Sequence, residues 1–331
     1  MAFPISSITD IVATTIESRT GEVSDNVTSN NAVLAQLKKG KRIQKFSGGS
    51  IIAHELSFAS NGNASFYSGY DLLPVAAQDV ISWAQFSITQ AACPVVVSGL
   101  EQLQNAGKEQ VIDLLEARIQ VAEASMANLI ATGLYSDGTG FGGKQIVGLN
   151  AAVPALASTS SGRVSTGTYG GIDCSTTVGS FWRPYYQYDG TLSTATIAGS
   201  MNTLWAQLVR GSDRPDLILM DANAWGVYLA SLQANQRFTQ AETGQLGFPT
   251  LKYQDADVVL DGGIGGQCPA NTIFMLNTKY LKFRPHADRN FVPLSPRTRE
   301  SINQDASVTI LAFAGNMTSG GRQFQGRIGK T

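Results

Sequence analysis

LQNAGKEQVIDLLEARIQVAEASMANLIATGLY, residues 103–135, is the stretch on which the fold turns. Ile112, Leu115, Ile119, Ala122, Met126 and Leu129 recur in steps of three and four, which places them in one stripe of a helix. Gln110, Asp113, Glu116, Gln120 and Glu123 fall largely off that stripe. Gly133 stands where a left-handed C-terminal cap is expected, and Tyr135-Ser136-Asp137-Gly138 reads as a turn. At ~1.5 Å per residue, about 25 helical residues reach roughly 38 Å. Such a length predicts a spine on which sheets are laid.

On the N-terminal side of the spine the chain reads as extended. Asp79 to Thr89 partly alternates, with Ile81, Trp83, Phe86 and Ile88 mostly on one face, and Ser50 to Ala59 is rich in β-formers. Together they predict a long two-stranded excursion over residues 46–92. An isolated hairpin is marginal in water, so this one packs on its own domain or lies across another subunit. Further back, Ser7 and Asp10 form a capping-box variant, and Asn30 or Asn31 is placed to cap a second short helix carrying Val33, Leu34 and Leu37. Elements this small make no core alone, and they read as an arm that needs a neighbour. Lys38, Lys39, Lys41, Arg42 and Lys45 form a dense basic run. It is either a solvated helix end complementing the dipole or a surface facing a polyanion or an acidic patch on a neighbour.

Beyond the spine, Gly138 to Gly143 follows a helix and lacks a Gly-Lys-Ser/Thr ending, which makes it a connection rather than a phosphate loop. Residues 151–194 are rich in Ser, Thr and Gly and carry Phe181, Trp182, Tyr185, Tyr186 and Tyr188. With little positive charge beside them, these rings are expected in a buried contact rather than stacked on bases. From Thr194 onward, apolar patterns of helix, strand, helix and strand predict a mixed α/β region. The glycines at 262–266 are read as a mobile loop. Tyr280 to Phe283, Phe291 to Leu294 and Ser307 to Phe313 supply the returning strands.

The bulk composition narrows the function classes. Of 331 residues only 15% are charged, sparse for a soluble monomer, so either the protein is poorly solvated or much of its exterior is covered by copies of the chain. A net charge of −1 argues against a free nucleic-acid binder. Three distant cysteines, Cys93, Cys174 and Cys268, form neither a disulfide framework nor a metal spacing. Met1-Ala-Phe-Pro-Ile5 lacks the pattern of a secretory signal, and no run of ~18 apolar residues predicts a membrane span. No nucleophile elbow, zinc signature or P-loop is present, and His54 and His286 stand beside no catalytic motif. The Asp288 and Arg289 turn beside His286 reads as an ion pair, and Asp255 with Asp257 as an ordinary polar edge. No catalytic residue, cofactor or metal site is expected, and the chain is read as a non-enzyme.

Leu311-Ala-Phe-Ala-Gly-Asn-Met-Thr318, Arg322-Gln-Phe-Gln-Gly-Arg327 and Asn277-Thr-Lys-Tyr-Leu-Lys-Phe-Arg-Pro-His286 carry a resemblance. With the order of elements, they make the chain similar to the major capsid proteins of tailed bacteriophages, of the Hong Kong 97 type. The residue-level likeness lies in roughly the last 60 residues, and the order of elements extends it over most of the chain. The resemblance implies an α+β fold with an N-terminal arm (1–45) and an extended β-hairpin loop (46–92). It implies a peripheral domain (93–150 and 275–318, spine helix 103–135), a mixed α/β axial domain (151–274) and a C-terminal segment (319–331). It further implies self-assembly as homo-pentamers and homo-hexamers into an icosahedral shell around double-stranded DNA, held non-specifically on the inner face. The expected location is the virion, after synthesis in the host bacterial cytoplasm. A separate scaffold, a portal and, optionally, a decoration protein would be partners, with no membrane. With the arm starting near Met1, the resemblance argues against the built-in scaffolding segment of some relatives and points to a separate scaffold or an already trimmed design. Two other readings compete: an encapsulin-like cellular nanocompartment shell, and an α/β enzyme with a pocket of convergent titratable groups.

Overall fold

The computed structural model describes residues 31–98, 100, 108–156, 159–233, 250–262, 266–294, 299–301 and 304–329. The capping box at Ser7 and Asp10, the first turn expected at 103–107 and the centre of the 262–266 loop lie outside them.

The first described helix, α1 (Ala32–Lys39), is capped by the Asn31 side chain, which accepts from Val33 N at 3.0 Å and Leu34 N at 3.1 Å. Ala32, Val33, Leu34, Ala35 and Leu37 are all buried. This corrects the expectation of an arm awaiting a neighbour: α1 belongs to the chain's own core. The strands β1 (Ile51–Ser57) and β2 (Ile81–Ser87) pair antiparallel from Ile51↔Ser87 to Ser57↔Ile81. Alternation turns Ile52, Leu56, Ala84 and Phe86 inward, where all are buried. The hairpin therefore ends sooner than 92, because β3 (Thr89–Ser98) already belongs to another sheet.

The spine, α2 (Lys108–Leu134), is present as a single helix of 27 residues. Ile119, Ala122 and Met126 are buried as the stripe requires, and Ile130 and Leu134 continue it. Gly133 is inside the helix rather than its cap, and the left-handed residue is Gly138 at φ 84°. The spine's last carbonyls then meet the start of α3 (Leu149–Ala152): a Cβ on Gly148 would stand 2.4 Å from Leu134 O. Only glycine permits so close a pass.

Residues 159–188 hold β4 (Gly162–Arg163), the small hairpin of β5 (Thr168–Tyr169) and β6 (Ile172–Asp173), and β7 (Tyr185–Tyr188). Of the aromatic cluster, Trp182 and Tyr186 are buried within the molecule as expected, Phe181, Tyr185 and Tyr188 are half-buried, and Tyr169 from β5 joins the buried rings. Next come α4 (Ile197–Leu208), β8 (Leu217–Met220), α5 (Ala222–Gln233), β9 (Thr250–Tyr253), β10 (Ala256–Leu260) and β11 (Ile273–Leu276). The chain returns through β12 (Leu281–Pro293), β13 (Arg299–Ser301) and β14 (Gln304–Ser319) and reaches β15 (Gly326–Gly329).

Among the described residues two main sheets result. One is seven-stranded, in the order β4-β7-β15-β11-β8-β10-β9, with parallel β15–β7 and β10–β8 pairs. Its β8 and β11 are buried on both faces: Leu217, Leu219, Phe274 and Leu276 face the main core, while Ile218, Met220, Ile273 and Met275 face a second core with α4. Part of the C-terminal segment expected at 319–331 forms β15, which lies inside this sheet between β7 and β11. The other sheet is four-stranded and built on β14, which pairs with β12 and β13 and, along its other side, with β3. β3 is thus an edge strand, where Pro94 removes no needed ladder donor.

Candidate functional site

Two surface features stand out. The first is the segment between β1 and β2. Phe58 N donates to Val80 O at 3.1 Å, and beyond that pair residues 59–79 form no strand. Phe66, Tyr70, Leu72 and Val75 are essentially fully exposed (91% at Val75), and Tyr67 and Leu73 are also exposed. A run of large apolar side chains in open solvent marks an interaction surface rather than scatter. A tight turn orders its middle: Asp71 N donates to Ser68 O at 3.2 Å, while Ser68 N donates to Asp71 Oδ2 at 2.9 Å. Gly69, at φ 53°, supplies the left-handed residue. At the base of the hairpin the inner face is covered by its own chain, with Gln85 N donating to Gly170 O at 2.8 Å and Phe86 edge-on to Tyr169.

The second feature contains the basic run. Lys38 and Lys39 close α1, and Lys39 Nζ lies 4.0 Å from Asp257, which also accepts from Gln36. Lys41 takes φ 55°, and residues 43–46 then run parallel to β12 through bridges at Ile43↔Phe283 and Phe46↔His286. That path brings Arg42 beside Lys282 and Arg284, cations that the sequence reading had not joined to the run. Their spacing by two along β12 was the signal, since such residues share one face. Burial, then Arg284 and Arg42, hold the Lys282 ammonium below the usual lysine range against a smaller pull from Glu55. Arg284 donates to Ala53 O at 3.0 Å and to Gln44, yet Arg284 Nε and Arg42 Nε are buried without a hydrogen-bond partner. Lys45 is exposed at the end of the run.

The two histidines and the paired carboxylates singled out in the sequence are dispersed. His54 is held down to about 4 by burial and by Lys282 and Arg284. His286 stacks edge-on with Phe46 and accepts from Asp288 N at 3.1 Å, while Arg289 donates to Gln90 rather than pairing with Asp288. Asp255 pairs with Arg214 at 2.6 Å, apart from Asp257. At the junction of spine and seven-stranded sheet, Tyr135 donates to Asp261 beside Cys268. Burial pushes the Tyr135 hydroxyl, the Asp261 carboxyl and the Cys268 thiol all upward, toward their neutral forms. An attacking thiolate needs the opposite shift. A groove of about 260 Å³ between β3 and the spine is lined by Ala91, Leu129, Ile130, Phe141 and Phe313, with Lys144 as its charged member. No group of His, Cys, Asp and Glu among the described residues is placed to hold a metal, and no described helix is long and apolar enough to cross a membrane.

No family model and no curated protein matches the chain. Solved structures do. The capsid of cyanophage A-1(L) superposes with a TM-score of 0.61 at 16% identity, covering 87% of this chain and 90% of that one. The capsid of a native GTA particle gives 0.57 at 11% identity, with 89% of each chain covered. An encapsulin complex from Synechococcus elongatus gives 0.50 at 6% identity, covering 87% of this chain and 84% of the other. The chain has the Hong Kong 97-type capsid fold.

Proposed function

We propose that this chain is the major capsid protein of a tailed bacteriophage, which assembles as pentamers and hexamers into an icosahedral shell around double-stranded DNA. The observation that carries this reading is the bare apolar segment at 59–79 on a fold shared with phage capsids over nearly the whole chain. A monomer gains nothing from keeping Phe66, Tyr70, Leu72 and Val75 in water. Covered in a contact, each is worth ~1.5–3 kcal/mol. A contact that joins two different surfaces closes into a ring when its rotation allows, and many linked contacts add through effective concentration.

Copies of itself are therefore the principal partner. A separate scaffold, a portal and, optionally, a decoration protein complete the set, and the location is the virion. The arm, extended hairpin, peripheral and axial segments keep the roles that the resemblance gives them, with α1 and β15 reassigned to the body. The basic run at Lys38, Lys39, Lys41, Arg42 and Lys45 faces a polyanion or a neighbouring subunit. The second reading is an encapsulin-like shell, a class with which the chain shares its fold, holding protein cargo instead of a genome.

Expression of the full chain followed by electron microscopy tests the proposal. Closed icosahedral particles are expected, and a monodisperse monomer at high concentration would overturn it. Mass spectrometry and absorbance of particles purified from the native source separate a DNA-filled shell from one holding a protein cargo.

A further inference from the structure

From Phe46 to Gly107 the chain contains no lysine or arginine, while Glu55, Asp71 and Asp79 lie within its hairpin. The projecting segment is thus apolar and purely acidic. Of its two ordered turns, the one at Asn61–Ala64 carries no charge and the other presents Asp71, one of whose carboxylate oxygens accepts from Ser68 N and whose other oxygen has no partner among the described residues. The opposite charge is gathered elsewhere on the same chain. Arg42, Lys282 and Arg284 converge beside the half-buried Ile43 and Phe46, with Glu55 as the nearby acid. Three cations held that close repel one another, and two buried Nε atoms lack acceptors. A niche of this kind is incomplete until an anion enters it.

We infer that the Ser68–Asp71 turn of one copy docks on the Arg42–Lys282–Arg284 niche of a second copy, with the Asp71 carboxylate as the anion. This rests on the assembly reading above and specifies its contact. Three observations favour a protein occupant over nucleic acid. The niche is half-buried against the base of the hairpin rather than spread as an exposed stripe along which a phosphate backbone could track. Apolar side chains border it at Ile43 and Phe46. The chain itself carries the complementary piece, apolar and acidic, with no other cover among the described residues. Because loop tip and niche are different surfaces, the contact is head-to-tail, the type that builds rings.

The test is a charge swap in the full-length protein, read by shell yield in electron microscopy and sedimentation. Asp71→Lys and Lys282→Glu should each lower shell yield by about tenfold or more, the scale of a broken close charge pair. The combination D71K/K282E should restore shells, which a merely misfolded K282E could not do. Normal shells from both single variants, or failure of the double variant, would overturn the contact while wild-type shells left the assembly reading standing. Shells from K282E that form normally but hold less DNA would overturn it in favour of nucleic acid. A second measurement is independent of any substitution. Zero-length carbodiimide coupling of wild-type shells should give a ladder on a denaturing gel, with an Asp71–Lys282 peptide linking two subunits. A ladder without that peptide, or with Asp71 joined elsewhere, would overturn the assignment.

Discussion

Arg322 shows how single side chains hold this fold together. It is almost wholly buried, with no carboxylate among its hydrogen-bond partners. Its guanidinium donates to Ala152 O at 2.6 Å and Ala151 O at 3.2 Å, the carbonyls at the end of the four-residue α3, and lies 5.1 Å over the Tyr169 ring. A helix that short has no internal partners for its last carbonyls, so a planar donor from the C-terminal segment supplies them. His54 offers a residue-scale measurement. Its pKa falls from 6.5 to about 4 in the folded protein, so between those values the unfolded chain binds more protons. The stability that neutral His54 provides is complete above about pH 6.5 and is lost as pH falls toward 4. Asp261, raised by burial, acts in the opposite direction, but it is common to wild type and a His54→Gln variant. Urea midpoints at pH 7.5 and pH 5 should therefore fall more steeply for wild type than for H54Q, and parallel falls would contradict the assignment.

Among the elements, the spine was the most legible, because a long stripe of spacing three and four has one physical meaning. Even so, two details escaped: Gly133 continues the helix, and Ile130 and Leu134 take over the buried face at its end. The arm helix was misread for an identifiable reason. Ala32-Val-Leu-Ala35 is apolar on every side, the mark of a helix buried all round, yet its shortness suggested an appendage. Likewise β15 follows Gly320 and Gly321, which look like a tail, and only long-range pairing with β7 and β11 reveals a central strand. Register between distant strands is not written in local pattern. The niche was half legible: the run 38–45 was visible, but its partners on β12 required the fold to bring them over. At this scale the spine's buried face can be tested with Met126→Asp, at a site 1% exposed. An unpaired carboxylate there costs several kcal/mol against a total stability of ~5–15 kcal/mol. The variant should accumulate as insoluble protein without native helical circular dichroism, and a soluble, native-like product would remove α2 from the role of core spine.

For the whole molecule, the balance of covered and bare surface decides what the chain is. Sequence reading expected the arm to need a neighbour and left the hairpin either packed on its own domain or lying across another subunit; in the fold α1 and the inner face of β1–β2 are buried at home, while 59–79 is not. The distinction matters because a segment that contributes little to its own fold can be removed without unfolding it. Phe58 and Val80 are already paired across the hairpin, so residues 59–79 can be replaced by Asn-Gly, the two-residue connection that suits the strand twist. The shortened chain should keep its melting temperature within a few degrees and its far-ultraviolet circular dichroism, because the excised side chains touch solvent rather than core. It should nevertheless form no closed shells, since every ring contact that relies on the Ser68–Asp71 turn is gone. A fall in melting temperature of ten degrees or more would mean the segment packs on its own body. Normal icosahedral particles from the shortened chain would mean that the shell is held by other surfaces, and that the exposed apolar run serves some purpose other than joining one copy to the next.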